Sequence, residues 1–209
     1  MTQNFAVPDP ETAPPVSASV YRSRLLEGMA RSVTAKGYAD TTVADIVREA
    51  GVSKRSFYEC FVSKSDCLIA LYVVASYGAL KALRQVIDPG RDWRSQIESA
   101  VGAYLACLAS NPVLLRTLFI EILGLGAEGL QVRRRMHQAL ADFVVQVACA
   151  GRVLAPEEAG HTAILAMAVV GGINELVLQA IEAGRGATLV GLTQVCSALV
   201  RAVLAEPLG

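Results

Sequence analysis

Charge bias is missing from this sequence. Nineteen Lys and Arg balance nineteen Asp and Glu, so bulk electrostatics gives no argument for a nucleic-acid partner. Any such argument must come from local placement. No two of the five cysteines (Cys60, Cys67, Cys107, Cys149 and Cys196) stand at C-x-x-C spacing. An odd, scattered set implies buried thiols in a reducing cytosol rather than a disulfide frame. A redox role for Cys60 or Cys67 remains an alternative to plain burial. The two histidines, His137 and His161, lie far apart without an acid or thiol at ligand spacing, so no metal and no cofactor are expected. There is no Ser-His-Asp set, no paired carboxylates and no glycine-rich phosphate loop. His137 with Glu121 or Asp142 can be assembled only on paper, and the chain is read as not an enzyme. The uncharged stretches Val101–Leu115 and Gly186–Val200 are 15 residues each, short of the ~20 that a membrane span needs. They read as buried core helices. The N-terminus lacks a basic region followed by an apolar one, so no signal peptide is expected and the protein is placed in the cytoplasm. Aromatics are 6% of the chain, apolar residues 53%, and proline is sparse beyond residue 20. Alanine, leucine and valine dominate, which makes an all-α protein the natural class.

What is present centres on Thr41 to Asp66, TTVADIVREAGVSKRSFYECFVSKSD. Thr42 and Asp45 have capping-box spacing ahead of the apolar set Val43, Ile46, Val47 and Ala50. Gly51 stops that helix, because a C-terminal cap needs the left-handed conformation. Ser53 caps a second helix, Lys54 to Phe61, whose Phe57 and Phe61 face the first. Ser63 and Asp66 open a third. The second helix carries Lys54, Arg55 and Ser56 in its first turn. That arrangement describes a helix-turn-helix reader of DNA. An ordinary helical hairpin with two solvated cations has the same spacing.

Residues Arg24 to Leu71 resemble the DNA-binding domain of the TetR family of bacterial transcriptional repressors. The resemblance is carried by KGYADTTVADIVREAGVSKRSFYECF (Lys36 to Phe61) and the following Ser63-Lys64, about a quarter of the chain. Two residues depart from the pattern: Cys60 stands where His or Tyr is usual, and Ser65 where Glu is usual.

In chain order, residues 1–19 hold four prolines, no Lys or Arg, and two acids. This is read as a disordered tail that phosphate would repel. A helix follows from about Val20 to Ala35, with Leu25, Met29 and Val33 inward and Lys36-Gly37 at its end. Residues 20–66 thus make a three-helix DNA-binding head with eight Lys or Arg against five Asp or Glu between residues 21 and 64. Residues 67–209 make a larger helical region for ligand binding and dimerisation. The helix from Lys64 runs to about Ile87 before the break at Asp88-Pro89-Gly90. Further helices are expected near Trp93–Ala109, Pro112–Leu123, Glu128–Ala150, Pro156–Ala183 and Thr188–Leu204, about nine in all. Leu189, Leu192, Cys196, Leu199 and Val203 follow a 3, 4, 3, 4 seam. Ile164, Met167, Gly171 and Leu178 share one side of the preceding helix. Both sets are read as packing in a four-helix bundle with a second copy, through Ile164, Gly171, Leu178 and the seam. Internal core helices are the alternative.

A dimer would present two reading helices to an inverted-repeat operator in double-stranded DNA, with half-sites about 34 Å apart or a multiple of it. Lys54 and Arg55 are candidates for base edges, where guanine offers acceptors, or for phosphate. Thr42, Ser53, Ser56, Lys64 and Arg24 are candidates for phosphate contacts, and the resemblance implies the same for Tyr58 from its place in the motif. The resemblance implies regulation, most simply repression, relieved by a small-molecule effector bound in the larger region. Tyr72, Trp93, Tyr104, Phe119, Met136, Met167 and Asn174 are its candidate pocket, which suits an apolar or amphipathic ligand. The alternative is a ligand-independent, chromosome-organising DNA-binding protein of the same fold.

Overall fold

The computed structural model describes residues 16–88, 90–111, 115, 118–149 and 155–204. Among these residues the chain is all-α, with eight α-helices and no strand. The helices are α1 (Val16–Asp40), α2 (Val43–Ala50), α3 (Lys54–Cys60), α4 (Lys64–Gln85), α5 (Trp93–Ala109), α6 (Ala127–Ala148), α7 (Pro156–Glu182) and α8 (Thr193–Leu204). Two 3₁₀ segments, Glu121–Leu125 and Gly186–Leu192, stand before α6 and α8. The chain divides into two compact units at residues 70 and 71.

In the first unit, α1 starts earlier than its apolar pattern suggests. Residues 16–19, expected in the tail, are helical, and the remainder of that tail lies outside the described residues. Gly37, at φ 79° and ψ 166°, breaks the helical path within α1. Leu25, Met29 and Val33 are buried, as their spacing requires. They pack in a unit whose other fully buried side chains include Ile46, Phe57, Cys67 and Leu68. Gly28, also on α1, lies against the backbone of α2.

The second unit is built on a core of Leu83, Ile97, Leu105, Phe143, Val169 and Val177, joined by Leu189 and Cys196. Asp92 caps α5 by accepting the Ser95 amide at 3.1 Å and its hydroxyl at 2.6 Å. The expected single helix Thr188–Leu204 is instead a 3₁₀ segment followed by α8. The join is marked by the Thr193 hydroxyl donating to the Val190 carbonyl at 2.7 Å. Of the expected helix Pro112–Leu123, only residues 115 and 118–119 are helical among the described residues, with a 3₁₀ turn beginning at Glu121. The expected break at Gly151 falls outside them.

Two expectations need correction. Leu189 and Cys196 are 1% and 0% exposed within the subunit, and Leu192, Leu199 and Val203 lean on the same core. Leu189 and Cys196 therefore serve the core of one chain and cannot reach a second copy, while Leu192, Leu199 and Val203 stay half-buried. Short uncharged stretches also understated apolar length. The α4 helix, α7 and the 186–204 segment each reach the length and hydropathy of a membrane span, α7 because residues 159–174 carry no charge. Apolarity is no evidence of insertion, since Val169, Val177, Leu189 and Cys196 serve the core of their own unit.

Candidate nucleic-acid interface and ligand cavity

The turn between α2 and α3 is held by local chemistry. The Thr42 amide donates to the Asp45 carboxylate at 2.9 Å, and the Asp45 amide returns a bond to the Thr42 hydroxyl at 3.2 Å. Lys36 and Arg48 close on the same carboxylate at 2.5 and 2.8 Å. The Lys36 ammonium, then Thr42, hold the Asp45 carboxyl well below the usual carboxylate range. Gly51 takes φ 60° and ψ 42°, where a β-carbon would be strained. Its carbonyl accepts from Arg24 at 3.0 Å. Arg31 reaches the Glu49 carbonyl, adding a second tie from α1 to α2. Ser53 caps α3 by accepting the Ser56 amide at 3.0 Å.

One face of α3 is locked and the other is open. Phe57 is fully buried and meets the Phe61 ring at 5.8 Å. Lys54 and Arg55 are exposed, and Tyr58 is 60% exposed with its ring edge against Phe57. Arg55 pairs with Glu59 one turn on at 2.9 Å, a surface pair that holds little energy and can be exchanged for another anion. The other candidate contacts are less open. Lys64 donates to the carbonyls of Tyr38 at 2.9 Å and Thr41 at 2.8 Å, and lies over the Tyr38 ring. Its ammonium braces the end of α1 against the start of α4. Arg24 is held on Gly51, and the Thr42 hydroxyl donates to Asp45. Cys60 and Cys67 have their thiols pushed up by burial, Cys67 to about 12. That disfavours the thiolate a redox sensor needs.

In the second unit, Tyr72, Tyr104, Phe119, Met136 and Asn174 line one cavity of about 40 Å³. Trp93 and Met167 do not. Trp93 leans on the core with Arg94 over its ring, and Met167 packs beside Ala141, Ala166 and Val170. The cavity also takes Arg133 and His137 from α6. Burial first, then the Arg133 charge, pushes His137 down to about 4, so its ring is neutral at physiological pH. Burial raises the Tyr72 and Tyr104 phenols, which keeps both as donors. The sequence held a signal for Arg133: it is one of three consecutive arginines on a helix whose Val132, Met136 and Phe143 are buried. Only its position relative to that apolar stripe separates it from Arg134 and Arg135, which are exposed. Of the interface candidates on α7, Ile164 is 68% exposed, Gly171 is exposed and Leu178 is half-buried.

Residues 25–71 match the model of bacterial regulatory proteins of the tetR family. The head is that of a TetR-family regulator. FadR from Bacillus halodurans, described as a fatty acid degradation regulator, superposes with a TM-score of 0.75 at 17% identity, covering 94% of this chain and 100% of its own. FadR from Bacillus subtilis, solved in complex with stearoyl-CoA, gives 0.71 at 18% identity, covering 85% and 96%. A TetR-like regulator from Rhodococcus sp. RHA1 gives 0.66 at 17%, covering 90% and 98%. At such identities the likeness establishes the TetR fold over most of the chain. No curated protein sequence matches the chain significantly. Within this TetR-family head, the elements that made the resemblance are also the ones that set the turn: Thr42, Asp45, Gly51 and Ser53.

Proposed function

We propose that the protein is a cytoplasmic TetR-family transcriptional regulator, most simply a repressor. In this reading it binds an inverted-repeat operator as a homodimer and is released by a small apolar or amphipathic ligand. The observation that carries it is the two-faced α3. Phe57 anchors the helix by one side, while Lys54, Arg55 and Tyr58 stand exposed on the other. Lys54 and Arg55 suit base edges or phosphates; Ser53, Ser56 and Tyr58 suit phosphates. Thr42, Lys64 and Arg24 act chiefly by holding the head in shape. Ile164 and Gly171 on α7 are the apolar and small surface proposed to meet the second copy. Ligand control is supported by the tyrosine-lined cavity and by the FadR relatives, one of them a stearoyl-CoA complex. A ligand acts by binding one arrangement of the two heads better than the other. The α4 helix, which runs from residue 64 to residue 85 across the division of the chain, is the proposed lever.

The cavity favours a second reading as well. A volume of about 40 Å³ holds a few waters, far below the ~300 Å³ of an ordinary ligand site. A protein whose cavity stays this small would bind DNA without an effector. The test begins with fragments selected from genomic DNA and continues with gel shifts. Lys54→Ala and Arg55→Ala should each weaken binding by about 5- to 160-fold, as loss of a base contact worth ~1–3 kcal/mol does. Wild-type affinity should fall steeply with salt. Unchanged binding by both variants removes α3 from the interface. Release by no small molecule, with DNA binding intact, selects the ligand-independent reading.

A further inference from the structure

Two cavities lie side by side in the second unit. The first holds Arg133, His137 and Tyr72. The second, of about 50 Å³, is walled by Leu83, Ile97, Val101, Phe143, Ile173 and Val200. Tyr104, Leu140 and Asn174 line both, so they form the partition between them. The Asn174 amide donates to Val170 on its own helix at 2.8 Å, which holds the side chain in that wall.

Arg133 is the only cation among the residues lining the first cavity. Arg31, Arg48, Arg55 and Arg201 each pair with a carboxylate. Among the described residues no carboxylate pairs with Arg133, although it is half-buried on an otherwise mostly apolar cavity. Leaving a guanidinium partly desolvated and unpaired is costly. Its neighbours do not supply the missing charge. His137 is neutral and Tyr72 stays protonated. The first cavity therefore presents a cation and a phenol donor, with no acid. That set suits an anion and repels an amine. The second cavity suits only hydrocarbon.

We propose that the effector is an amphiphile with a single anionic end, of the carboxylate class, held by Arg133 in the first cavity. Its hydrocarbon body displaces the Tyr104–Leu140–Asn174 partition and fills the second. This rests on the ligand-controlled reading above and names the chemistry of that site. Moving the partition joins the two small spaces into one elongated site, which is how a protein with small separate cavities accepts a long molecule.

Calorimetric titration of the full-length protein with dodecanoate, butyrate, dodecanol and dodecylamine, below their aggregation limits, tests it. Dodecanoate should bind, and the other three at least tenfold more weakly. Arg133→Gln should cost dodecanoate tenfold or more and leave dodecanol unchanged, while Arg133→Lys, which keeps the charge without the planar fork, recovers only part of the loss. Equal binding of dodecanol or dodecylamine, an unaffected Arg133→Gln, or butyrate as tight as dodecanoate overturns the proposal. Gel shifts separate it from the broader reading. Dodecanoate bound through Arg133 without release of DNA refutes ligand control and leaves the site standing. Release of DNA by an amine or alcohol, with no dodecanoate binding, refutes the site and leaves ligand control standing.

Discussion

Replacing Gly28 by alanine adds one methyl where α1 lies closest to α2. A β-carbon there would sit 2.6 Å from the Ile46 carbonyl oxygen, 3.0 Å from the Ala50 amide nitrogen and 3.1 Å from the Ala50 β-carbon. Ordinary contact begins at 3.4 Å, so α2 must withdraw by roughly 0.8 Å. Two of the three neighbours are backbone atoms and cannot rotate aside. The α2 helix is also fixed at both ends, by the Thr42–Asp45 box and by Arg24 on Gly51. Overpacking of this kind costs ~1–3 kcal/mol, and rigid backbone neighbours place it near the upper end. Alanine returns ~1 kcal/mol of helix propensity, leaving about 2 kcal/mol lost. If the head melts as its own unit, its midpoint should fall by about 8–16 °C. Thermal unfolding followed by circular dichroism measures this. Gly78→Ala on α4, with nothing within 4 Å of the new methyl, is the control and should be neutral or stabilising. A Gly28→Ala protein that melts at or above the wild-type temperature would refute the argument.

Four further outcomes follow from burial and exposure in the two units. Asp45 keeps its charge in the folded head below the ordinary carboxylate range, so at acid pH the unfolded chain binds more protons. Its stabilising contribution is complete above the unfolded value near 4 and is lost as pH falls toward the lowered folded value. Asp45→Asn should flatten the decline of the urea midpoint between pH 6 and pH 3. Cys67, fully buried and with its thiol pushed up to about 12, should resist an aromatic disulfide reagent at pH 8 and react once urea unfolds the head. Fast native labelling located to Cys67 by mass spectrometry would contradict its burial. Leu189→Ala should cost the subunit ~2–5 kcal/mol as a buried leucine does. Ile164→Glu, at an exposed site, should leave the subunit's melting intact and dissociate the proposed dimer in sedimentation. A destabilised Ile164→Glu monomer would place that residue in the core instead.

The head was legible because its determinants are local. Thr42, Asp45, Gly51 and Ser53 act on groups within four residues, and the apolar repeat of Leu25, Met29 and Val33 can only face inward. The bounds of α5 follow from Asp92 as a cap and the residues before Asn111-Pro112 as an end. The second unit was less legible, because a spacing shows that a face is apolar and not what covers it. The seam through Leu189 and Cys196 is real, yet its cover is α5 and α7 of the same chain. Trp93 and Met167 are apolar residues no different in sequence context from Tyr104 and Met136, and only packing separates those that line the cavity. Lys64 looked like a phosphate contact because its partners, the Tyr38 and Thr41 carbonyls, are more than twenty residues away in sequence.

Lysine acetylation footprinting with and without the selected duplex tests the central claim most directly. The chain has four lysines. Lys36 is tied to Asp45, Lys64 is bonded to backbone carbonyls, and Lys81 on α4 is exposed far along the chain from α3. The account predicts that duplex strongly protects Lys54 and leaves Lys81 unchanged. Equal modification of Lys54 in the bound and free protein would contradict it.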